Sequence, residues 1–406
     1  MKATAAAASP PAPRRVVIIV ENLPIPFDRR PWQEACALRD AGYGVSIISP
    51  TGINATARFE RIDGIDVHRH PLPREGNGFV GYLAEYGVAL WWESVLAWRI
   101  FRRQRFDVIH ACNPPDLIWL VAAPFRWLFG TKFVFDHHDL GPELYEAKFG
   151  RQDALHRVLK LLERCTFRLA DISIATNESY RGIATTRGGM DPACVFVVRS
   201  GASLARLRPV PAVPELRHGR RFLVAYVGVM GGQEGLDLLL SAVRHIVYER
   251  GRGDIHFVLV GDGPEAARLR TLAGEYGVAD FVTFTGRVND ARLLEVLCTA
   301  DVCVASDPLN PLNDRSTMNK IHDYMALGKP IVQFDLVEGR VSAGAASLYA
   351  KPNDDADFGE KILLLLADPD LREEMGRIGR ARIENELEWK YEAPKLIAAY
   401  RSLWTR

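Results

Sequence analysis

Residues 314–330 read DRSTMNKIHDYMALGKP, and this stretch decides how the chain folds. It follows an apolar run at 302–305 (VCVA) and the loop DPLNPLN, and a second apolar run, 331–334 (IVQF), comes after it. Ser316 or Thr317 is a suitable N-cap for a helix, and the glycine and proline of GKP end that helix. The stretch therefore predicts a strand–loop–helix–strand unit of the kind that builds parallel sheets.

The predicted helix has a polar face made by Asn319, Lys320 and Asp323, because positions three and four apart are neighbours on a helix. A helix N-terminus with a nearby lysine attracts phosphate. A carboxylate one turn further along can accept hydrogen bonds from both hydroxyls of a ribose. This face is therefore suited to a nucleoside diphosphate, and the alternative is an ordinary solvated face with one ion pair.

The length, composition, net charge and cysteine count restrict the class of protein. A chain of 406 residues is too long for one ordinary core and predicts two domains of about 150–200 residues each. Apolar and charged fractions of 48% and 25% are typical of globular proteins. The net charge of +1 creates no global field that would recruit nucleic acid. The six cysteines form no close-set pairs, which predicts reduced thiols, a cytoplasmic protein and no structural zinc site.

The chain divides into five parts. Residues 1–13 contain no apolar core long enough for a secretion signal, and we predict a disordered tail there. Apolar runs that alternate with helical patterns predict a first Rossmann-like domain over 14–205 and a second over 222–386. The stretch 206–221 is rich in proline and arginine and predicts a linker. Residues 387–406 are predicted to form a terminal helix.

Polar side chains follow the first predicted strand. The run VVIIV at 16–20 leads into ENLPIPFDRR, which contains Asp28, Arg29 and Arg30. No GxGxxG follows this strand, which argues against a nicotinamide or flavin cofactor. A surface ion pair that closes a turn is one interpretation of these three residues, and the family resemblance described below implies the other, a contact with the ligand.

A second polar cluster follows the apolar stretch 132–135. It reads DHHDLGPEL and contains His138, Asp139 and Glu143. A doubly wound sheet places its ligand contacts where strands end. Because neighbours in a strand point to opposite faces, only one of the two adjacent histidines can face a given site. A metal site is therefore not predicted here.

Glycine-rich turns follow two predicted strands of the second domain. GVMGGQEG carries Gly228 and Gly231, and GDGP carries Gly261 and Gly263. Glycines between a strand and a helix let backbone amides approach a diphosphate closely.

Residues 79–106 predict a long amphipathic helix in which Trp91, Trp92 and Trp98 lie among four arginines. This mixture suits the surface of an anionic membrane, so contact with the inner leaflet is expected. Packing of the tryptophans on the sheet is the alternative. No stretch approaches the roughly 18 uninterrupted apolar residues of a membrane span.

The segment IHDYMALGKP resembles the EYMAxGKP signature of the retaining glycosyltransferases of family 4, with Asp323 at the carboxylate of the signature. The stretch ENLPIPFDRRPWQEACALRDAGYGVSIISP is similar to the opening of members that assemble bacterial polysaccharides. The resemblance implies an α/β chain of the GT-B fold, with two Rossmann-like, doubly wound parallel-sheet domains that face a central cleft. It also implies that the terminal helix crosses back onto the first domain.

The resemblance implies a hexosyltransferase as well. The donor would be a nucleotide-diphosphate sugar, and the acceptor a glycan or a polyprenyl-linked saccharide in exopolysaccharide or lipid-linked glycan assembly. The anomeric configuration would be retained. The diphosphate itself would take the acceptor proton, so neither a metal nor another cofactor is expected. The enzyme would work in the cytoplasm, peripherally on the membrane.

The site residues follow from the same likeness and from the motifs above. Arg315 and Lys320 are expected to hold the leaving diphosphate, and His138 to orient the sugar. The donor-binding residues are expected to be Gly228, Gly231, Gly261, Gly263, Arg287, Asn319 and Asp323. The residues that face the acceptor or the cleft are expected to be Asp28, Arg29, Arg30, Asp139 and Glu143.

The chain departs from the family pattern at three positions. Val229 and Glu234 stand where the family has an arginine and a lysine, and Arg315 stands where it has the first of two paired glutamates. Arg315 and Lys320, with Arg29 or Arg30, are therefore expected to supply the missing positive charge. Two alternatives stay open: a hydrolysing nucleotide-sugar 2-epimerase, and a nucleotide-sugar-binding member without catalytic activity.

Overall fold

The structure is a computed structural model that describes residues 13–52, 55–71 and 78–405, and for 78–85 only the backbone. The predicted tail, apart from residue 13, lies outside the described residues. Within them the chain forms two α/β lobes, each built on its own sheet.

The first lobe holds eight strands and six helices. The strands are β1 (Arg15–Ile19), β2 (Gly44–Pro50), β3 (Phe59–Ile62), β4 (Ile65–His70), β5 (Val108–Cys112), β6 (Lys132–His137), β7 (Ile172–Ala175) and β8 (Val195–Val197). The helices are α1 (Arg29–Asp40), α2 (Gly78–Arg103), α3 (Trp119–Phe129), α4 (Gly141–Phe149), α5 (Ala154–Leu169) and α6 (Glu178–Thr186). The strand order is β3-β4-β2-β1-β5-β6-β7-β8, and β3 alone pairs antiparallel.

The second lobe holds a six-stranded parallel sheet. Its strands are β9 (Phe222–Val227), β10 (Ile255–Val260), β11 (Val282–Gly286), β12 (Val302–Ala305), β13 (Ile331–Phe334) and β14 (Ser347–Ala350). The helices that follow along the chain are α7 (Leu236–Arg244), α8 (Ala266–Glu275), α9 (Asp290–Thr299), α10 (Asn319–Ala326), α11 (Val337–Ala343), α12 (Asp355–Ala367), α13 (Pro369–Arg382) and α14 (Trp389–Ser402). The strand order is β11-β10-β9-β12-β13-β14.

The two sheets confirm the predicted pair of doubly wound α/β domains. Central strands such as β1, β9 and β12 are buried almost throughout, which explains their continuous apolar sequences. The strand order reverses between β1 and β5 in the first sheet and between β9 and β12 in the second. A cleft opens beyond the carboxyl ends of the strands at such reversals, and there doubly wound sheets bind ligands.

The terminal helix α14 lies on the first lobe. Its residues Leu396, Ala399 and Tyr400 are buried in one apolar cluster with Val16 and Leu38. The last part of the chain therefore returns to the sheet that the first part forms.

The segment predicted as a linker packs on the second lobe instead of running free. Leu207 and Leu216 are buried in the core of that lobe, and the backbone N–H of Val213 donates to Thr299 Oγ1 at 2.8 Å. The leucines of this segment bury apolar surface and so hold the segment on the second lobe. The composition, which is rich in proline and arginine, did not indicate this packing.

Helix α10 begins at Asn319, later than the predicted cap at Ser316 or Thr317. The hydroxyl of Ser316 donates to the carbonyl of Leu312 at 2.8 Å. The Thr317 hydroxyl accepts from the Asn177 side chain of the first lobe at 3.0 Å. Both hydroxyls are therefore engaged elsewhere, and Met318 stands at the N-cap without a side-chain hydrogen bond.

Candidate functional site

A cavity of about 330 Å³ lies between the two lobes, where the polar loops after β1, β6, β9 and β12 meet. The first lobe contributes Asp28, Arg30, His138 and Asp139. The second lobe contributes Gln233, Glu234, Asn313, Ser316 and Asn319. The structure thus brings predicted site residues of the first lobe and of the second lobe together around one cavity.

A smaller cavity of about 140 Å³ lies between the lobes and shares residues with the first. Arg29 and Arg30 line it from the first lobe, and Asn319 and Asp323 from α10. Asn319 lines both cavities, so the start of α10 lies between them. We treat the two neighbouring cavities together as one candidate site along α10.

His138 faces the larger cavity, and its neighbour His137 does not. The backbone N–H of His138 donates to Asn113 Oδ1 at 2.9 Å, and its Nδ1 lies 3.2 Å from Asp136 Oδ2. Burial lowers the pKa of His138, but the hydrogen bond with Asp136 and the nearby carboxylate charges outweigh it and raise the pKa to about 9. His137 is buried on the opposite side, 3.4 Å from Glu163. His138 is therefore a cationic donor at neutral pH.

Behind His138, a buried network holds Asp136 in place. Arg30 donates to both oxygens of Asp136, from Nε at 3.0 Å and from Nη2 at 2.7 Å, and lies 3.2 Å from Glu34. His110 Nε2 lies 3.3 Å from Glu34, and its Nδ1 lies 2.7 Å from the hydroxyl of Tyr400 on α14. Burial opposes ionisation of Asp136, but the Arg30 charge prevails and holds its pKa well below the usual range.

The same network contains four side chains whose ligand atoms lie within 4.8 Å of one another, namely Glu34, His110, Cys112 and Asp136. The Arg30 guanidinium already supplies a positive charge to this group. Burial raises the pKa of Cys112 well above its usual value, so the sulfur stays a thiol and a poor metal ligand. The group is therefore better suited to hold Arg30 than a metal ion.

Lys320 does not share the open face of α10 with Asn319 and Asp323, which corrects the prediction. Its ammonium donates to Glu234 Oε2 at 2.6 Å and to Asp307 Oδ1 at 2.9 Å, and its side chain is only 8% exposed. Helical spacing did place Lys320 beside these residues, but the carboxylates of two distant loops draw its ammonium inward. Glu234, which stands where the family has a lysine, lies between Lys320 and the cavity.

Asp323 lies at the boundary of the lobes as part of a four-charge ring. Arg206 Nη2 donates to both oxygens of Asp323, at 3.1 and 3.0 Å. Arg29 Nη1 lies 4.0 Å from Asp323, while its Nη2 donates to Asp290 at 2.7 Å. Arg206 also lies 3.6 Å from Asp290. Burial raises the pKa of Asp323, and the two guanidinium groups oppose that rise.

Glu143 and Arg315 meet outside the larger cavity. Arg187 donates to both oxygens of Glu143, at 2.7 and 3.1 Å, and Arg315 Nη1 lies 3.3 Å from the same carboxylate. Glu143 is buried and doubly paired, so it has little capacity left for the acceptor hydroxyls that were predicted for it. Arg315 is 45% exposed, and it can leave this partner for a ligand at small cost.

The predicted glycines have a packing role. A Cβ atom on Gly261 would lie 1.8 Å from the carbonyl oxygen of Gly228, and one on Gly263 would lie 2.6 Å from that of Met230. Gly261 also has a φ of +138°, where side chains are strained. The turns after β9 and β10 therefore touch each other through Gly228, and Gly231 lies in the first of them.

The other predicted residues border the same cleft. Burial raises the pKa of Asp28 to about 6 and raises that of Asp139 as well. The guanidinium of Arg287 lies 5.4 Å from the ring centre of Phe27, which belongs to the loop after β1. This loop therefore reaches across the cleft to the second lobe.

Sequence reasoning missed two members of the charge ring. Arg206 fell within the predicted linker, and Asp290 lies two residues after the TGRV motif, at the start of α9. A polar residue directly after Asn289, the N-cap of α9, was an available signal, since helix starts at strand ends face the cleft. Nothing in the sequence pairs either residue with Asp323.

Two families of domains match the chain. Residues 28–201 match the family described as glycosyl transferase 4-like domain, and residues 221–368 match glycosyl transferases group 1. Together these matches cover most of both lobes.

The chain is 25% identical to α-maltose-1-phosphate synthase of Mycolicibacterium smegmatis, over 90% of this chain and 99% of that one. It is 28% identical to α-D-kanosaminyltransferase of Streptomyces kanamyceticus over 38% of this chain, and this match spans only 39% of that relative's length.

Two solved structures share the fold. Sucrose-phosphate synthase from Thermosynechococcus elongatus superposes with a TM-score of 0.77 at 19% identity, covering 97% of this chain and 99% of that one. Anabaena HepE in complex with UDP and glucose superposes with a TM-score of 0.73 at 15% identity, covering 96% and 100%. The two domain matches show that the chain belongs to the glycosyltransferases of the family 4 type, and the paired sheets and the solved structures show that its fold is GT-B.

Proposed function

We propose that this protein transfers a hexose from a nucleoside diphosphate sugar to a glycan or a polyprenyl-linked saccharide, with retention of the anomeric configuration, in cell-surface polysaccharide synthesis. The observation that carries the proposal is the cavity between the lobes, which His138 faces from one side and Asn319 from the other. The family supports sugar transfer, and HepE is a structural neighbour whose complex contains UDP and glucose.

In the proposed complex the nucleotide lies along α10, with its ribose at Asp323 and its diphosphate near Asn319. The sugar then occupies the larger cavity, where the cationic ring of His138 donates to one of its hydroxyls. The acceptor enters from the side of Asp28 and Asp139. The leaving diphosphate takes the acceptor proton on the same face of the sugar, so the chemistry requires neither a metal nor a separate base.

The test is an assay of the purified protein with UDP-glucose, GDP-mannose or ADP-glucose and a polyprenyl-diphosphate saccharide, in the presence of a metal chelator. We expect transfer with retention, read from the anomeric NMR signals of the product. His138→Ala should lower kcat about 100-fold, because the sugar loses its orienting contact. The control is His245→Ala, whose imidazole pairs with Glu249 and Glu360 away from the cleft. Inversion, or equal rates in both variants, would contradict the proposal.

A nucleotide-sugar-binding protein without catalytic activity is a second candidate. It is favoured by Lys320, whose charge is engaged by Glu234 and Asp307 and does not face the cavity. Binding of a nucleotide sugar with no turnover across acceptors would support this candidate. Conversion of the nucleotide sugar alone to a 2-epimer would instead identify the epimerase.

We also propose that the first lobe docks on the cytoplasmic face of an anionic membrane. No helix among the described residues is both long enough and apolar enough to cross a bilayer. The surface between α2 and α3, however, exposes Trp91, Trp127 and Leu128 by 68%, 71% and 67%. We call these three residues the aromatic patch. Such exposed apolar groups indicate an interaction surface, and the adjoining groove of about 600 Å³ is lined by Arg99, Arg102 and Arg103.

Trp92 and Trp98, the other two predicted tryptophans of this region, are both partly exposed, and Trp98 packs against the core. The centre of the Trp98 ring system lies 4.6 Å from the ring centre of Phe125 and 5.9 Å from that of Phe129, and the same side chain also lines the groove. The test compares sedimentation with phosphatidylglycerol and phosphatidylcholine vesicles. We expect binding to the anionic vesicles only, and its loss in Trp127→Ala/Leu128→Ala. Equal sedimentation of wild type and variant would contradict membrane docking by the aromatic patch.

A further inference from the structure

Four charged groups from different parts of the chain join the lobes at the nucleotide end of the cleft. Arg29 comes from the first lobe and Arg206 from the segment between the two sheets. In the second lobe, Asp290 comes from the start of α9 and Asp323 from the middle of α10. The ring is neutral. One of its members, Asp323, is the carboxylate at which the proposed function places the ribose. The other three members can therefore affect donor binding.

The two arginines are held with different strength. Arg206 is 21% exposed and donates to both oxygens of Asp323. Arg29 and its partner Asp290 are each 50% exposed and share one 2.7 Å hydrogen bond. An ion pair this exposed contributes little to stability, because water and salt screen its charges. Arg29 is therefore the member that a competing anion can draw away.

Two other cations beside the cleft, Arg30 and Lys320, are bound more firmly than Arg29. Arg30 is buried and donates to Asp136 and to the carbonyl of Val198. Lys320 is buried between Glu234 and Asp307. A diphosphate that enters along α10 meets Glu234 on the cavity wall, so it needs positive charge from a group that can move.

We propose that Arg29 is an exchanging cation, which pairs with Asp290 in the free protein and moves to the diphosphate when the donor binds. The inference rests on the proposed function, because it assumes a nucleoside diphosphate along α10. Arg29 lies 4.0 Å from Asp323 Oδ2, where a ribose hydroxyl would bind, so entry of the ribose displaces it. Arg206 stays on Asp323 and holds that carboxylate in place. Donor binding thus breaks one bridge between the lobes and forms another through the ligand.

The exchange predicts opposite effects for the two partners of one ion pair. Arg29→Gln removes the cation, and we expect it to weaken UDP binding about fivefold. Asp290→Asn frees Arg29 from its resting partner, and we expect it to tighten UDP binding about threefold. The double variant should bind UDP as Arg29→Gln does, because no cation remains to be released.

The matched control is Glu295→Gln, which makes the same charge change on the same helix, where Glu295 pairs with Arg292. We expect it to leave UDP affinity unchanged. UMP, which lacks the second phosphate, should respond to Arg29→Gln less than UDP does. Since all three substituted side chains are 39% exposed or more, the melting temperature should stay close to that of the wild type.

Isothermal titration calorimetry with UDP, and with GDP and ADP in parallel, decides between the outcomes. Tighter binding by Asp290→Asn with weaker binding by Arg29→Gln supports the exchange. Weaker or unchanged binding by Asp290→Asn overturns it while the proposed function stands. If the wild-type protein binds none of the three nucleotides, the proposed function and the exchange are both overturned.

Discussion

Each lobe buries a cation between two carboxylates, close to a tyrosine, directly beneath the cleft. In the first lobe the cation is Arg30, between Glu34 and Asp136. We call these three residues, with His110 and Tyr400, the first-lobe cluster.

In the second lobe the cation is Lys320, which contacts Glu234 and Asp307 and lies 4.8 Å from the ring centre of Tyr226. We call these four residues the second-lobe cluster. The two clusters share the same ion-pair chemistry.

They differ in what reaches the cavity. The first-lobe cluster ends at His138, whose Nδ1 lies 3.2 Å from Asp136, so its buried charges fix the protonation and the position of a cavity group. In the second-lobe cluster a carboxylate, Glu234, lines the cavity and the cation lies behind it. A buried ion pair can therefore support a ligand contact in one lobe and withhold its cation from the ligand in the other.

Breaking the first-lobe cluster should give the largest effect. Asp136→Asn leaves Arg30 buried without its bidentate partner, and we expect a loss of about 3–5 kcal/mol in the free energy of unfolding. Urea denaturation measures it. The control is Asp254→Asn, which breaks the half-exposed pair with Arg252 and should cost about 1 kcal/mol or less. Similar losses of unfolding free energy in both variants would show that Asp136 does not hold the first-lobe cluster together.

Breaking the second-lobe cluster should cost somewhat less, because its carboxyls can take up protons. Lys320→Met leaves Glu234 and Asp307 facing each other without a cation, and we expect a loss of about 3 kcal/mol at pH 8. Burial and the neighbouring Glu234 already raise the pKa of Asp307 to about 7, although Lys320 opposes the rise. The loss should therefore be smaller at pH 5 than at pH 8, as measured by urea unfolding. A loss that does not depend on pH would contradict this account.

The pH dependence of stability should come partly from His110. Burial lowers its pKa, but the carboxylates of Asp136 and Glu34, which lie 3.9 and 3.3 Å from Nε2, prevail and raise the pKa from 6.5 to about 9. Because the folded state binds this proton more tightly, the contribution is complete below pH 6.5 and is lost as the pH rises to about 9.

That contribution should amount to about 2–3 kcal/mol. Unfolding free energies of wild type and His110→Gln, measured between pH 6 and 9.5, test it. We expect the free energy of unfolding of the wild type to decline across this window, and that of the variant to decline less. Parallel curves for the two proteins would show that His110 is neutral in the folded state.

The smallest effects should come from removing the tyrosine hydroxyls. Tyr400→Phe loses the 2.7 Å contact with His110, and Tyr226→Phe loses hydrogen bonds to Glu234 and to the carbonyl of Val229, both at 3.1 Å. Each should cost about 1 kcal/mol in the free energy of unfolding. Only Tyr400→Phe should also shift the pH dependence of kcat, because only its cluster connects to His138. A shift in Tyr226→Phe alone would reverse the comparison.

The fold could be predicted from the sequence because buried parallel strands have continuous apolar sequences such as VVIIV. Turns that contain glycine and proline separate these apolar runs from the helices. The start of α10 was less predictable. Ser316 and Thr317 are good caps by residue type, but Thr317 bonds to Asn177 of the other lobe, and no local rule encodes that contact.

Several residues that line the cleft could be predicted from the sequence, but the ion pairs that these residues form could not. His138, Asn319 and Asp323 line the cleft. Helical spacing predicted the shared face of Asn319 and Asp323, whereas the family resemblance pointed to His138. Spacing could not show that Lys320 would turn toward Glu234, which is 86 residues away in the sequence. It could not pair Asp323 with Arg206 either, across 117 residues. Ion pairs between loops of different strands depend on the tertiary arrangement, and a single sequence does not display it.

The central claim is that α10 holds a nucleoside diphosphate through Asp323. Isothermal titration calorimetry of UDP, GDP and ADP into the wild type and Asp323→Ala tests it most directly. We predict that at least one nucleotide binds the wild type and that the substitution weakens its binding about tenfold or more, since the ribose loses its carboxylate. Equal affinity in the two proteins would contradict the account.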